Sequence, residues 1–181
     1  LLLFAPVVPR KQARGKTVSE FLDAMKSYDL EALAEYYSDA TDSDYTLDDF
    51  SYAEDEAGYA EMMDAMKTMM SAMDYEIIDS QVDGDTAVVN VSITSIDMSA
   101  VMTTYIANAF SLAYSNLDAT EDELTVLMMQ AFGDAIEANI DNTVTNEAAV
   151  NLEKVDGDWK IVGDETFINA IYGGLLSAIE E

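Results

Sequence analysis

The chain of 181 residues contains no cysteine and no histidine. Without cysteine there is no disulfide, no thiolate metal site and no sulfur nucleophile. Without histidine, the commonest general base and the commonest transition-metal ligand are both missing. Basic side chains are scarce as well: 8 Lys and Arg stand against 36 Asp and Glu, a net charge of −28. Half of them, Arg10, Lys11, Arg14 and Lys16, fall in the first 16 positions, so residues 17–181 carry 4 basic and 36 acidic side chains. Such a body repels nucleic acid and anionic membrane surfaces, which argues against either as a partner. No run reaches the roughly 18 apolar residues of a membrane span.

Half of the residues are nevertheless apolar, a globular composition, and the length suits one domain burying roughly 70% of its unfolded surface. Residues 1–16 stand apart. Their apolar stretch precedes the basic cluster, the reverse of a secretory signal. We read them as a leader or cloning remnant, poorly ordered and outside the fold, and 17–181 as a single domain.

Two stretches, Val82-Asp83-Gly84-Asp85 and Val155-Asp156-Gly157-Asp158, lie between runs of alternating apolar residues, the signature of a β-hairpin. A two-residue turn at Asp156-Gly157 sets Lys154 opposite Trp159, Leu152 opposite Ile161 and Val150 opposite Gly163, with Glu153 and Lys160 as a cross-strand ion pair on the other face. In the first hairpin, a two-residue turn at Asp83-Gly84 sets Ile77 against Asn90. Bringing Tyr75 and Ile77 onto the face of Val89, Val91 and Ile93 requires a one-residue bulge, expected near the turn.

Helical periodicity fills most of the remainder. Thr17 with Glu20 has the spacing of a capping box and opens a helix to about residue 27; Asp29 starts a second. Ser51 with Glu54 opens a third, reaching about Met73, with Met62, Met66, Met69 and Met73 on one stripe and Met63 and Met70 beside it. Met is first a filler of irregular core gaps, and second a pliable ligand wall. Thr120 with Glu123 marks a third capping box, in a helical pair over 97–141 expected to cover part of the sheet. The closing segment, Phe167 to Ile179, is helical but broken at Gly173-Gly174. The acidic stretch 39–49 does not match a calcium loop: Leu47 stands where glycine is needed and Ala53 where glutamate is needed. No metal site or cofactor is expected. Helices gathered around two antiparallel hairpins give an α+β fold, a sheet of about four strands with a helical-hairpin insertion between the hairpins.

Thr17–Asp39, with its Phe-Leu-Asp-Ala and Leu-Glu-Ala-Leu helices around Asp29, resembles the opening of the nuclear transport factor 2-like (cystatin-like) superfamily. The Lys-Val-Asp-Gly-Asp-Trp-Lys-Ile run ending at Ile161 resembles that superfamily's last hairpin. Tyr75–Asp97 with the following insertion is similar to a branch of putative lipoproteins of unknown function from Gram-positive bacteria. The resemblance implies a curved sheet wrapped around the first helix as a cone with a pocket, and an extracellular or cell-surface location.

The function that follows is non-catalytic binding of an unidentified small molecule or cell-envelope partner. Pocket liners would be Tyr37, Met66, Met70, Tyr105 and Trp159, with no residue assigned to catalysis. Two other readings stand beside it: an isomerase or dehydratase using Asp and Tyr in the cone, and a structural interaction module. The resemblance also implies a homodimer through the convex face of the sheet.

Overall fold

The structure, a computed structural model, describes residues 10–38 and 56–175, with side chains from residue 15. The Ser51–Glu54 box and the acidic stretch 39–49 lie outside the described residues. Helix α1 (Arg10–Ser27) begins seven residues before Thr17. The Thr17–Glu20 pair is therefore about two turns inside a helix and not a start. Residues 10–16 offer only Gly15 as a weak point, and one glycine is tolerated in a helix at a cost of about 1 kcal/mol. The helix continues through it, with Ser19 Oγ donating to the Gly15 carbonyl (2.8 Å) and Lys16 paired with Glu20 (3.1 Å).

Tyr28, in the left-handed region at φ 52°, ends α1, and Asp29 caps α2 (Leu30–Tyr36) by accepting from the Ala32 N–H. This is the break expected between a helix ending near residue 27 and a second one started by Asp29. Helix α3 (Tyr59–Ser71) buries Ala65, Met69 and Met70, and Met73 just beyond it is buried too, so the methionine stripe serves the core.

Strands β1 (Asp74–Asp83), β2 (Thr86–Ile96), β3 (Thr143–Val155) and β4 (Asp158–Val162) form one open antiparallel sheet in that order. The β3–β4 hairpin has the expected register: Lys154 pairs with Trp159 and Leu152 with Ile161. Asp156 (φ 52°) and Gly157 (φ 103°) both have positive φ, as a type I′ turn requires. Glu153 and Lys160 face each other across the strands but form no ion pair. Ser38 Oγ donates to Glu153, and Lys160 Nζ donates to the Glu35 carbonyl. The chain at Tyr37-Ser38 runs beside β4, bridging Ile161, so that Ser38 takes the carboxylate and the end of α2 at Glu35 takes the ammonium.

In the β1–β2 hairpin Tyr75 pairs with Ile93 and Ile77 with Val91, as the apolar sets demand. The turn residues are Gly84-Asp85, one position later than expected, and the bulge falls at Ile78, in mid-strand. Burial explains the distance: the inward set of β1 is its first half, where Tyr75 and Ile77 are partly buried, while residues near the turn are exposed and indifferent to register.

The inner face of the sheet carries Val89, Val91, Ile93, Val150, Leu152 and Ile161. Helix α1 crosses this face, touching β1, β2 and β4, and α6 (Glu165–Ile171) closes the end of β2 and β3. The outer face is polar, with Asn90, Ser92 and Thr94 beside Ala149, Glu147 and Thr145. Between the hairpins come α4 (Met98–Ser115) and α5 (Glu121–Ala138), the latter opened by the Thr120–Glu123 capping box in full. Contrary to expectation, this pair does not cover the sheet. Helix α5 packs on α3 and α4 packs on α5. The core takes only Met98 and Val101 from the first turn of α4, and Ala135 and Ile136 from the end of α5.

Candidate functional site

The interior between α1, α2 and α6 is lined by aromatic and aliphatic side chains: Phe21, Met25, Tyr28, Leu33, Tyr37 and Tyr172 among them. Its enclosed space is about 20 Å³, room for about one water. Tyr37 stacks on Phe21 (centroids 6.4 Å), and Phe21 lies against Phe167 (5.9 Å). Gly163 opposes Tyr37 so closely that any Cβ there would overlap the phenol. Burial, and next the nearby Tyr28, push the Tyr172 hydroxyl far above its ordinary value of 10.0, and burial raises Tyr28 as well.

The raised Tyr172 value has a consequence at high pH. The unfolded chain ionises this phenol near pH 10 while the folded chain keeps it neutral. Its contribution is fully present below pH 10 and is lost as pH rises toward the folded value, by up to about 1.4 kcal/mol per pH unit. Denaturant midpoints measured from pH 8 to 11 should therefore fall above pH 10, and Tyr172→Phe should flatten that fall.

A second, open depression of about 700 Å³ lies where α1, the end of α2 and the β3–β4 hairpin meet. Its wall includes Lys16, Thr17 and Glu20 from α1, Glu35 and Tyr36 from α2, and Lys154, Asp158, Trp159 and Lys160 from the hairpin. The hairpin register places Lys154 directly beside Trp159. Three of the chain's eight basic residues thus meet around its single tryptophan. Lys16 is engaged by Glu20, and Lys160 by the Glu35 carbonyl. The Lys154 ammonium makes no hydrogen bond or ion pair with the described residues. The groove can therefore offer an aromatic face and a cationic donor to one ligand.

The family that matches this chain is the SnoaL-like domain, over residues 18–132, from the first buried position of α1 into α5. The chain belongs to the SnoaL-like domain family. That family lies within the nuclear transport factor 2-like superfamily, and its members include enzymes, among them epoxide hydrolase and ketosteroid-isomerase-like proteins, and ligand-binding proteins. SnoaL-like domains bind small molecules. No curated protein matches the chain. A solved structure, a putative lipoprotein (ycdA) from Bacillus subtilis, superposes with a TM-score of 0.58 at 10% identity. The match covers 90% of this chain and 56% of that one, so this SnoaL-like domain spans little more than half of the lipoprotein's length. An LEH-like epoxide hydrolase from M. tuberculosis superposes with a TM-score of 0.37 at 13% identity, over 96% of this chain and 91% of that one. A score that low bears on neither fold nor chemistry.

The structure does not bring the five expected pocket residues of this SnoaL-like domain to one cavity. Tyr37 lines the small interior space and Trp159 the open groove. Met70 is fully buried in the core, with Met66 half-buried against it. Tyr105 packs edge-on to Phe132 (5.6 Å) between α4 and α5. An Asp–Tyr hydrogen bond of the kind an isomerase would need links Tyr75 Oη to Asp23 Oδ1 (2.8 Å), but Asp23 is exposed at the edge of α1 and β1. Among the described residues, no group of three acidic side chains is placed to hold a metal ion, and no helix is long and apolar enough to cross a membrane. Lys16, Lys154 and Lys160 were not legible as site residues. The usable signal was the scarcity of lysine itself, with two of the four basic residues after position 16 flanking the only tryptophan.

Proposed function

We propose that this SnoaL-like domain is a non-catalytic binding domain on the extracellular side of the cell, as its resemblance to Gram-positive lipoproteins implies. Its ligand is a small ring compound bearing a negative group, held in the groove between α1, α2 and β4. The observation that carries this reading is Trp159 beside the unengaged Lys154 in a space of about 700 Å³, within the roughly 300–1,000 Å³ usual for ligand sites. The ring lies on the indole face and the anion meets the ammonium as a point charge. The groove is locally neutral, and the unengaged Lys154 ammonium is what selects an anion. Lys16, Lys154 and Lys160 balance Glu20, Glu35 and Asp158 here, whereas the rest of the surface is strongly acidic, and about 8 Å of screening length at physiological salt leaves the local groups in control. Binding without catalysis is favoured because the interior space beside the buried tyrosines holds about one water and leaves no room for a substrate.

Isothermal titration with N-acetylglucosamine 1-phosphate, glucuronate and benzoate, each beside its uncharged counterpart, tests this reading. At least one anion should bind saturably and more tightly than its neutral partner, with Lys154→Glu and Trp159→Ala each weakening it by about tenfold or more. Equal affinity for charged and neutral members, or no binding by any of them, would refute it.

A further inference from the structure

Residues 98–117, which make up α4 and the start of its following loop, contain no charged side chain, in a chain that is 24% charged. One side of α4 packs on α5. The other exposes Ile106 (49%), Phe110 (74%) and Tyr114 (81%), and Leu117 (79%), in the turn just past the helix, is exposed as well. Ile106, Phe110 and Ala113 follow the 4-3 spacing of a helix–helix seam. Taking about 200 Å² for a large side chain, the four exposed residues leave about 600 Å² of mostly apolar surface in water. Monomeric proteins rarely leave more than a few hundred Å² in one patch.

We infer that α4 is a self-association face, and that two copies pair through it, antiparallel and about a two-fold axis. The shape is self-complementary. A shallow apolar groove of about 340 Å³ is walled by Tyr105, Ile106, Ala109, Phe110, Ala113 and Met128, so the same side chains that project from one copy form a seat for those of the other. The area is of the right size, since a standard interface takes about 800 Å² from each partner and the small residues around the four large ones supply the remainder. Charge selects the occupant. Two bodies of −28 repel each other over most of their surface, and α4 is a stretch on which neither presents an acid. A basic partner would find no counter-charge on this face. The polar outer face of the sheet, where the resemblance implies a dimer, offers no comparable apolar surface.

Sedimentation of the full chain at 0.15 M salt should show twice the monomer mass at tens of micromolar, roughly the range for a modest apolar interface. Phe110→Glu should weaken association by about 30-fold or more while leaving the far-ultraviolet circular dichroism unchanged, because this side chain is outside the core. The chain has no native cysteine, so Ala113→Cys supplies a lone thiol beside the axis. On oxidation it should give a covalent dimer, and Asp85→Cys at the β1–β2 turn should not. A chain that stays monomeric overturns the inference, including the case in which α4 instead binds vesicles of neutral phosphatidylcholine. A dimer that survives Phe110→Glu, as one through the sheet would, overturns it equally.

Discussion

Replacing Gly173 by alanine should lower the thermal midpoint by about 10 °C, a loss of about 4 kcal/mol at this chain length. Two effects add. Gly173 has φ +57°, where a side chain costs about 1 kcal/mol or more. A Cβ there would also overlap the backbone carbonyl oxygen of Ile96, at the end of β2. Backbone cannot swing aside as a flexible side chain can, so α6 must lift. That breaks the bond from the Met98 N–H to the Gly173 carbonyl (3.1 Å) and those from Ser95 Oγ to the carbonyls of Ala170 (3.2 Å) and Ile171 (3.0 Å). The neighbouring glycine is a matched control. Gly174 has φ +83°, but among the described residues a Cβ there meets nothing within 4 Å, so Gly174→Ala should cost only the conformational strain of about 1 kcal/mol. Thermal unfolding followed by circular dichroism separates the two, and equal losses would mean that the close approach to Ile96 does not support the fold.

Phe167→Ala should be of similar size, about 3–5 kcal/mol. The ring is fully buried and leans on Phe21, which in turn stacks on Tyr37. Its removal takes one end from the aromatic row Phe167–Phe21–Tyr37 that fills the interior between α1, α6 and the sheet. Total stabilities of domains this size are only about 5–15 kcal/mol, so the variant should unfold at a sharply lower denaturant concentration with little change in slope. A loss below about 1.5 kcal/mol would show that the interior collapses around the gap, and that its tight packing is not what α6 contributes.

The parts of the fold that were legible in the sequence are those fixed by side chains a few residues apart. The β3–β4 register follows from Leu152 against Ile161 across a short type I′ turn, and the Thr120–Glu123 box marks a helix start because the loop over 116–119 separates it from α4. The same spacing misled at Thr17–Glu20, where Lys16 and the residues before it already continue the helix. The bulge in β1 was legible as a necessity, since Ile77 had to meet Val91, but not as a place, because exposed positions on either side tolerate either register. Least legible was anything that depends on how distant elements meet. A helix as apolar as α4 reads as buried, yet its docking on α5 alone leaves Phe110 and Tyr114 outside. The groove is hidden for the same reason: Lys16 and Lys154 are 138 positions apart and become neighbours only when α1 crosses the end of the sheet.

Trp159 is the only tryptophan of the chain, so its fluorescence reports on the proposed ligand site and nowhere else. With N-acetylglucosamine 1-phosphate, glucuronate or benzoate, whichever calorimetry finds bound, the emission should shift or quench saturably. The midpoint should match the calorimetric one, and Lys154→Glu should move both together. Heat of binding with an unchanged Trp159 signal would place the ligand elsewhere and contradict the assignment of this groove as the binding site.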